Sequence, residues 1–582
     1  MTPRPPRHET ALYCLAFLIA LGLRFVRLGE LPLSDSEARL ALDALHIAQG
    51  QHPALSSHVA YTSLTAVLFF IFGSFNFLAR FWPALFGTVL VFAPLLLRDR
   101  LTPRPALLLA FFFALDPALV SLSRQADGPI LAVTSSLLAA AFWTRSRPRL
   151  AGVFLALALL SGPALWPGLL GLLLAWMLAQ FMSARPAPAE TESDAAASEN
   201  DSDIPESVAS SPVNVPLKTD YRALGVALLV TLLAVSTLLF LSPQGLGAWL
   251  ASLPDYLKGW VSPVSVPVGR LFLALGVYQL LAVPFALIAI GRGWWDGSAD
   301  AIRLSLWTLV AILLAAFYPA RQPADLVWAL IPLWTLAALE LARHLEFPRQ
   351  DRLEIVGLAA LVILLLAFAW MDVEALRWTT IPSREANIRL LLLAGAFVLL
   401  IVSAALVGYG WSARVARVGA AWGATILLGV YTLGAAWGAT GLRDEKAVEL
   451  WDLSPRIAQA DLLTLTVNQT SEWAVGQTDS LPVLIVGVDS PALTWALRGH
   501  NPQNVVALDP ASAPELVITP TRDDLGLAAS YRGQDFNWRL YPAWDSFSSY
   551  TLGWLAYHDL PTAPETVILW VRADLFIDAE KP

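Results

Sequence analysis

Charge is what this sequence has least of. Of its 582 residues only 14% are Asp, Glu, Lys or Arg, against about 25% in soluble domains. So thin a polar coat argues against an ordinary soluble protein, because chains beyond roughly 300 residues divide into domains instead of enlarging one core. Cysteine is nearly absent. Cys14 stands alone, which excludes an intramolecular disulfide and any cysteine-cluster metal site. Lying in the first apolar run, Cys14 is expected to be a small buried apolar residue. Positive charge is short as well. A net charge of −8 argues against nucleic acid as a partner. Most of it is local: between Ala184 and Tyr221 eight acids face Arg185 and Lys218, a balance of −6. The rest of the chain is close to neutral.

Apolar residues fill the space that charge leaves, at 56% of the chain. A membrane span needs about 20 mostly apolar residues, with roughly 17 as the lower limit. Arg4 and Arg7 precede the first run, Ala11–Val26, but no small-residue cleavage site follows it. It reads as a retained span whose far arginines, Arg24 and Arg27, are expected to snorkel to the headgroups. Further spans fall near Ala79–Leu97, Ala106–Leu122, Pro129–Trp143, Leu150–Leu160, Leu165–Phe181, Leu224–Leu241, Leu271–Ile290, Leu304–Phe317, Leu326–Leu341, Ile355–Met371, Leu390–Val407 and Val418–Ala436. Threaded with the N-terminus in the cytoplasm, these place each arginine cluster in a cytoplasmic loop (Arg98 with Arg100 and Arg104, Arg145 with Arg147 and Arg149, Arg292 with Arg303, Arg343 with Arg349 and Arg352, Arg414 with Arg417). The total is about 13 spans, and the odd number puts everything after Gly441 outside. Tyr61–Phe72 is too short for a span and reads as a helix lying on the membrane within the first outer loop.

Four regions result: an N-terminal membrane module over residues 1–183, an acidic cytoplasmic linker over 184–221, a second membrane module over 222–441, and a tail over 442–582. The linker is too poor in apolar residues to fold. In the tail, Val483–Val488, Glu515–Thr519 and Thr566–Val571 have strand character, and Ser490–Arg498 looks helical. Strand and helix in alternation predict a small extracytoplasmic α/β domain. Gly487-Val488-Asp489 lacks the spaced glycines of a dinucleotide fingerprint. Trp538, Tyr541, Trp544, Tyr550 and Trp554 either build its core or offer faces to a sugar.

The outer loops hold the chemistry-bearing residues. Ser34-Asp35-Ser36-Glu37 opens a helical stretch that ends at Gly50. Asp35 and Glu37 suit a helix cap, and either could also accept a proton from an attacking hydroxyl. Arg124 and Asp127 occupy a short turn between two spans, and Arg321 lies at an outer span end. Charges squeezed there are costly unless they face a cavity or a partner, and guanidinium suits phosphate. Lys258, in a loop with the aromatic character of a membrane interface, is a further candidate for phosphate. His46, His52 and His58 share the first outer loop but lack the spacing of a zinc site.

The order Leu23-Arg24-Phe25-Val26-Arg27-Leu28, Ser34-Asp35-Ser36-Glu37-Ala38, Ala48-Gln49-Gly50, Phe72-Gly73, Ala79-Arg80 and Arg124 to Asp127 resembles the family 39 glycosyltransferases, over roughly residues 10–345. That family includes protein O-mannosyltransferases and the aminoarabinose transferase of lipid A. Ser36 stands at the aspartate of the family's adjacent Asp-Glu, with Asp35 one step earlier, and no lysine lies near Ser161-Gly162. The resemblance implies an all-α polytopic GT-C membrane domain and a polyprenyl-phosphate sugar donor. It also implies transfer, with inversion, to a lipid, glycan or protein acceptor on the outer face. Asp35, Glu37 and Asp127 would then be the catalytic carboxylates, and Arg124, Arg321 and Lys258 would bind the donor. A divalent metal is left open. A lipid-linked-sugar transporter or flippase and a non-catalytic scaffold are the alternative readings.

Overall fold

The computed structural model describes residues 7–183, 220–264, 266–345, 350–376, 378–379, 383–443, 447–546, 551, 554–555 and 557–580. Most of the acidic linker lies outside these residues. Every expected span falls on helical segments, some of them broken, and not every helix is long enough to cross a membrane. Eight are: Arg7–Phe25, Asn76–Leu96, Leu165–Met182, Ala299–Phe317, Pro323–Ala342, Arg352–Leu376, Arg384–Gly410 and Ala413–Gly438. Two more qualify only as bent pairs, giving up to 10. Pro129–Thr144, Pro148–Leu159 and Tyr221–Ser236 are apolar but shorter, so the count of 13 is not reached by length. Val59–Phe72 is likewise a short apolar helix.

The two bends have local causes. In Pro103–Leu115 and Pro117–Ser123, which meet at 56°, Pro117 has no N–H to give the Phe113 carbonyl, and its ring crowds that oxygen. Arg24 supplies the missing donors: Nη2 reaches the Phe113 oxygen at 2.9 Å and Nη1 the Ala114 oxygen at 3.1 Å. Arg24 therefore does not snorkel outward. It is fully buried, because an unpaired carbonyl inside a membrane is costlier than a buried guanidinium that satisfies it. The expected span Leu271–Ile290 is two helices, Val268–Tyr278 and Ala282–Trp295, turned by 93°. Pro284 favours a helix start here and excludes a helical carbonyl at Leu280. Gln279 at the break donates to Asp116 Oδ2 at 2.7 Å, as does Trp334 Nε1 at 2.7 Å, so one buried carboxylate ties both bends to the most buried helix. Cys14 is exposed on the outer side of its helix instead of buried. An apolar thiol needs no protein cover on a face that meets lipid.

The tail forms one mixed sheet from β1 (Arg456–Ile457), β2 (Val483–Val486), β3 (Gln503–Val505), β4 (Leu516–Pro520), β5 (Tyr531–Pro542) and β6 (Thr562–Arg572), in the order β1-β5-β6-β4-β2-β3. β2 runs parallel to β3 and β4, and the other pairings are antiparallel. The expected strands and the helix Pro491–Ala496 are present. Helix Ala460–Val475 and β5 carried too little alternation to be read in advance. Trp538 and Trp554 are fully buried core residues. The Tyr541 hydroxyl donates to Glu565 at 2.9 Å, Trp544 lies under Arg270 at 4.5 Å, and Tyr550 is outside the described residues.

This sheet does not build its core alone. Ala38, Ala41 and Ala44, one small-residue stripe on helix Asp35–Ala48, share a continuous apolar cluster with Leu493, Trp495, Ile518 and Trp538 of the tail. Phe69 of helix Val59–Phe72 packs tilted against Trp495 with ring centroids 5.6 Å apart. Small side chains let the two layers approach closely, and the buried apolar area holds the tail onto the first loop. Arg98 pairs with Glu9 at 3.0 Å, and Arg145 donates to the Leu96 carbonyl at 2.6 Å. Both lie at the opposite end of helix Asn76–Leu96 from Arg80 and the tail.

Candidate functional site

The start of helix Asp35–Ala48 organises the membrane end beneath the tail. Ser34 is its N-cap, and Ser34 and Glu37 form a reciprocal capping box. Glu37 does more than cap. Its Oε1 accepts from Arg80 Nε at 2.7 Å and from the Ala126 amide at 2.9 Å, and its Oε2 accepts from Arg80 Nη2 at 2.7 Å and the Ser34 amide at 2.9 Å. Arg80 spends its remaining donors on the carbonyls of Leu28, Leu31 and Pro32. The first span's exit, helix Asp35–Ala48, helix Asn76–Val89 and the second outer turn thus meet at one buried ion pair. Burial alone would raise the Glu37 carboxyl, but the Arg80 guanidinium and these hydrogen bonds outweigh it and hold it below the usual range.

Asp35 faces the other way, into the tail. Its Oδ2 accepts from Arg539 Nε at 2.7 Å, and its Oδ1 accepts from Ser490 Oγ at 2.6 Å and the Ala492 amide at 3.1 Å. Arg124 gives Nη1 to the carbonyls of Leu23, Arg24 and Val26 at 3.0–3.1 Å, closing the end of the first helix where carbonyls lack amide partners. Asp127 lies 3.3 Å from His58 Nε2. His58 fits against Gly162, which takes φ +99° between helices Pro148–Leu159 and Leu165–Ser183; a Cβ there would come within 3.0 Å of the imidazole. Arg321 gives Nε to Val266 and Nη1 to Ala316 and Tyr318, all carbonyls. Lys258 is exposed and pairs with Asp255 at 3.2 Å. Among the described residues no group of three or more His, Cys, Asp or Glu could hold a metal ion.

A cavity of about 190 Å³ lies between the membrane end and the tail. Glu37 and Arg124 line it, joined by Arg80, Glu449, Asp452 and Arg456; Asp35, Asp127, Arg321 and Lys258 are not among its walls. Gly441 shapes its rim, turning the chain out of the last membrane helix at φ +73° so closely that a Cβ would sit 2.9 Å from Leu31. Gln125 Nε2 reaches the Trp451 carbonyl at 3.4 Å, which pins the following segment over the second outer turn. Asp452 lines the cavity but is itself exposed, so its carboxylate is open to an incoming group. Desolvation, then the negative charge of Glu37, pushes its carboxyl up to about 6. Glu449 is held deeper: its Oε2 accepts from the Tyr278 hydroxyl and lies 2.8 Å from His558 Nδ1.

Sequence reasoning gave no role to Arg80, Glu449, Asp452, Arg456 or Arg539. Arg80 had a usable signal, a single arginine inside an apolar run, which requires a buried partner. Asp452 and Arg539 had none, since each is one charge in a polar stretch until the tail folds back.

No protein-family model matches the chain, and no curated protein matches it by sequence. Two solved structures are similar to it along nearly their whole length. ArnT from Cupriavidus metallidurans bound to undecaprenyl phosphate aligns with a TM-score of 0.55 at 14% identity, over 97% of this chain and 99% of that one. The apo state of the same protein aligns with a TM-score of 0.52 at 15% identity, over 98% and 99%. From its first helix to its terminal sheet, this chain therefore has the ArnT-like fold.

Proposed function

We propose that this chain is a membrane glycosyltransferase, taking a sugar from a polyprenyl-phosphate carrier and passing it, with inversion, to a lipid, glycan or protein acceptor on the outer face of the membrane. The observation that carries this reading is the charged cavity between the membrane end and the tail, in a fold whose solved counterpart was crystallised with undecaprenyl phosphate. Guanidinium groups at the rim of a low-dielectric pocket stabilise charge developing on a departing phosphate. Arg124 is the cavity-facing guanidinium of the reading from sequence. Arg321 and Lys258 would act on the carrier outside the cavity walls. The engagement of Asp35 and Glu37 in ion pairs favours a second reading, a non-catalytic scaffold. Incubating the purified full-length protein with radiolabelled polyprenyl-phosphate sugars separates the two. Label moving from the carrier to an acceptor or to water is expected, and its absence with every carrier tested leaves the scaffold. Arg124→Lys should transfer more slowly than the native protein while keeping some function, since lysine retains the charge but not the planar fork.

The same reading places the N-terminus and linker in the cytoplasm and residues 443–582 outside. Reporter fusions after Gly441 and within Ser193–Ser211 are expected to report opposite sides. A cytoplasmic signal from the tail fusion would overturn this orientation.

A further inference from the structure

We propose that Asp452, on the segment leaving the last membrane helix, is the group that takes the acceptor's proton in the cavity beneath the tail. This rests on the glycosyltransferase reading above and assigns its base to a residue outside the first loop.

Three carboxylates line the cavity, and their hydrogen bonds differ. Glu37 is saturated: both oxygens are held by Arg80 and by the amides of Ala126 and Ser34. Protonating it would break the pair that joins four elements. Glu449 gives its Oε2 to Tyr278 and His558, and its Oε1, though without a hydrogen-bond partner, is buried. Asp452 is bonded to Ser454 alone, whose amide reaches Oδ1 at 3.1 Å, and among the described residues no cation pairs with it. Of the acids outside the cavity walls, Asp35 is occupied by Arg539, Ser490 and Ala492, and Asp127 lies 3.3 Å from His58 Nε2. Asp452 is thus the one of the three cavity carboxylates that is exposed, and it can gain a proton without breaking an ion pair.

Its surroundings suit the task. Arg80 and Arg124 face the same cavity, so positive charge for a phosphate lies within the space that Asp452 serves. The charged groups around it are Glu37, Arg80, Arg124, Glu449 and Arg456, while β5 and β6 contribute the uncharged Leu540 and Thr562. With its carboxyl near 6, Asp452 is ionised at neutral pH yet basic enough to hold a proton in the transition state.

In the step, the acceptor oxygen bonds to the anomeric carbon of the donor while its proton passes to Asp452. The bond from that carbon to the phosphate oxygen breaks, and the electron pair leaves with the polyprenyl phosphate. Asp452 then releases the proton to water in the cavity.

The test uses the full-length protein in lipid nanodiscs, with radiolabelled polyprenyl-phosphate sugars as donors and undecaprenyl phosphate as the binding probe. Asp452→Asn is expected to lower transfer by about 10²–10⁴ while leaving thermal stability and probe binding close to native. Asp452→Glu should restore part of the rate. In the native protein the rate should rise with pH through about 6 and level off above it, because only the ionised carboxylate accepts a proton; in Asp452→Asn that limb should be missing. Full activity in Asp452→Asn, beside an active native protein, would overturn this assignment and leave the transferase reading standing. A native protein inactive with every donor would overturn both. A rate loss matched by loss of stability in both Asp452 variants would mark the residue as structural and also overturn the assignment.

Discussion

Arg80→Ala is expected to destabilise the folded protein by about 3–5 kcal/mol, the usual cost of leaving one partner of a buried ion pair alone. Glu37 would be the partner left behind, buried and deprived of its bidentate guanidinium. Three carbonyls of the first span's exit would lose their donor in the same substitution. The measurement is thermal unfolding of detergent-purified protein. Arg80→Met combined with Glu37→Leu should recover much of the loss, because removing both charges avoids an uncompensated one. An Arg80→Ala protein as stable as the native one would mean that water already reaches the pair. Acid should act on the same contact. The Glu37 carboxyl is lower in the folded protein than its ordinary 4.5. Its contribution is therefore fully present above that value and is lost as pH falls through the folded value.

The second large effect is expected where the tail docks. In a double-mutant cycle of Asp35→Ala and Arg539→Ala, we expect a coupling of about 0.5–3 kcal/mol, the range for residues sharing one hydrogen-bonded network. Both side chains are largely covered, at 23% and 12% exposure, so solvent screens this pair less than a surface one. Asp35→Ala removes the acceptor for Arg539, Ser490 and the Ala492 amide together. The tail should then loosen on helix Asp35–Ala48, and limited proteolysis should cut within residues 439–457 faster than in the native protein. Because residues 439–441, 447–449 and 454–457 line the cavity, sugar transfer should fall in parallel with the cleavage rate. Asp35→Ala with an intact cleavage pattern but lost transfer would instead return the base to Asp35.

The contrast between Asp35 and Asp452 shows how much of the site could be read in the chain. The Ser34-Asp35-Ser36-Glu37 start was legible as a cap, because capping is a local arrangement of side chains and amides within three residues. What each acid does beyond capping was not, since Arg539 is 504 positions from Asp35 and Arg80 is 43 from Glu37. Arg124 was legible as a costly charge at a span end, but the carbonyls it serves belong to a helix about 100 residues earlier.

The sequence by itself determined the membrane helices, the strands with clear alternation and the apolar character of nearly every buried surface. These follow from composition and periodicity, which act over a turn of helix or a few residues of strand. Tertiary structure decided which apolar helices bend or stay short and that Arg24 turns inward to the carbonyls freed at Pro117. It also decided that the tail shares its core with Ala38, Ala41 and Ala44, and that Asp452 reaches a cavity with three guanidiniums. For the buried polar groups among these the physical reason is shared. A buried polar group is stable only with a partner, and the partner is found by packing between segments far apart in the chain, where local pattern carries no information.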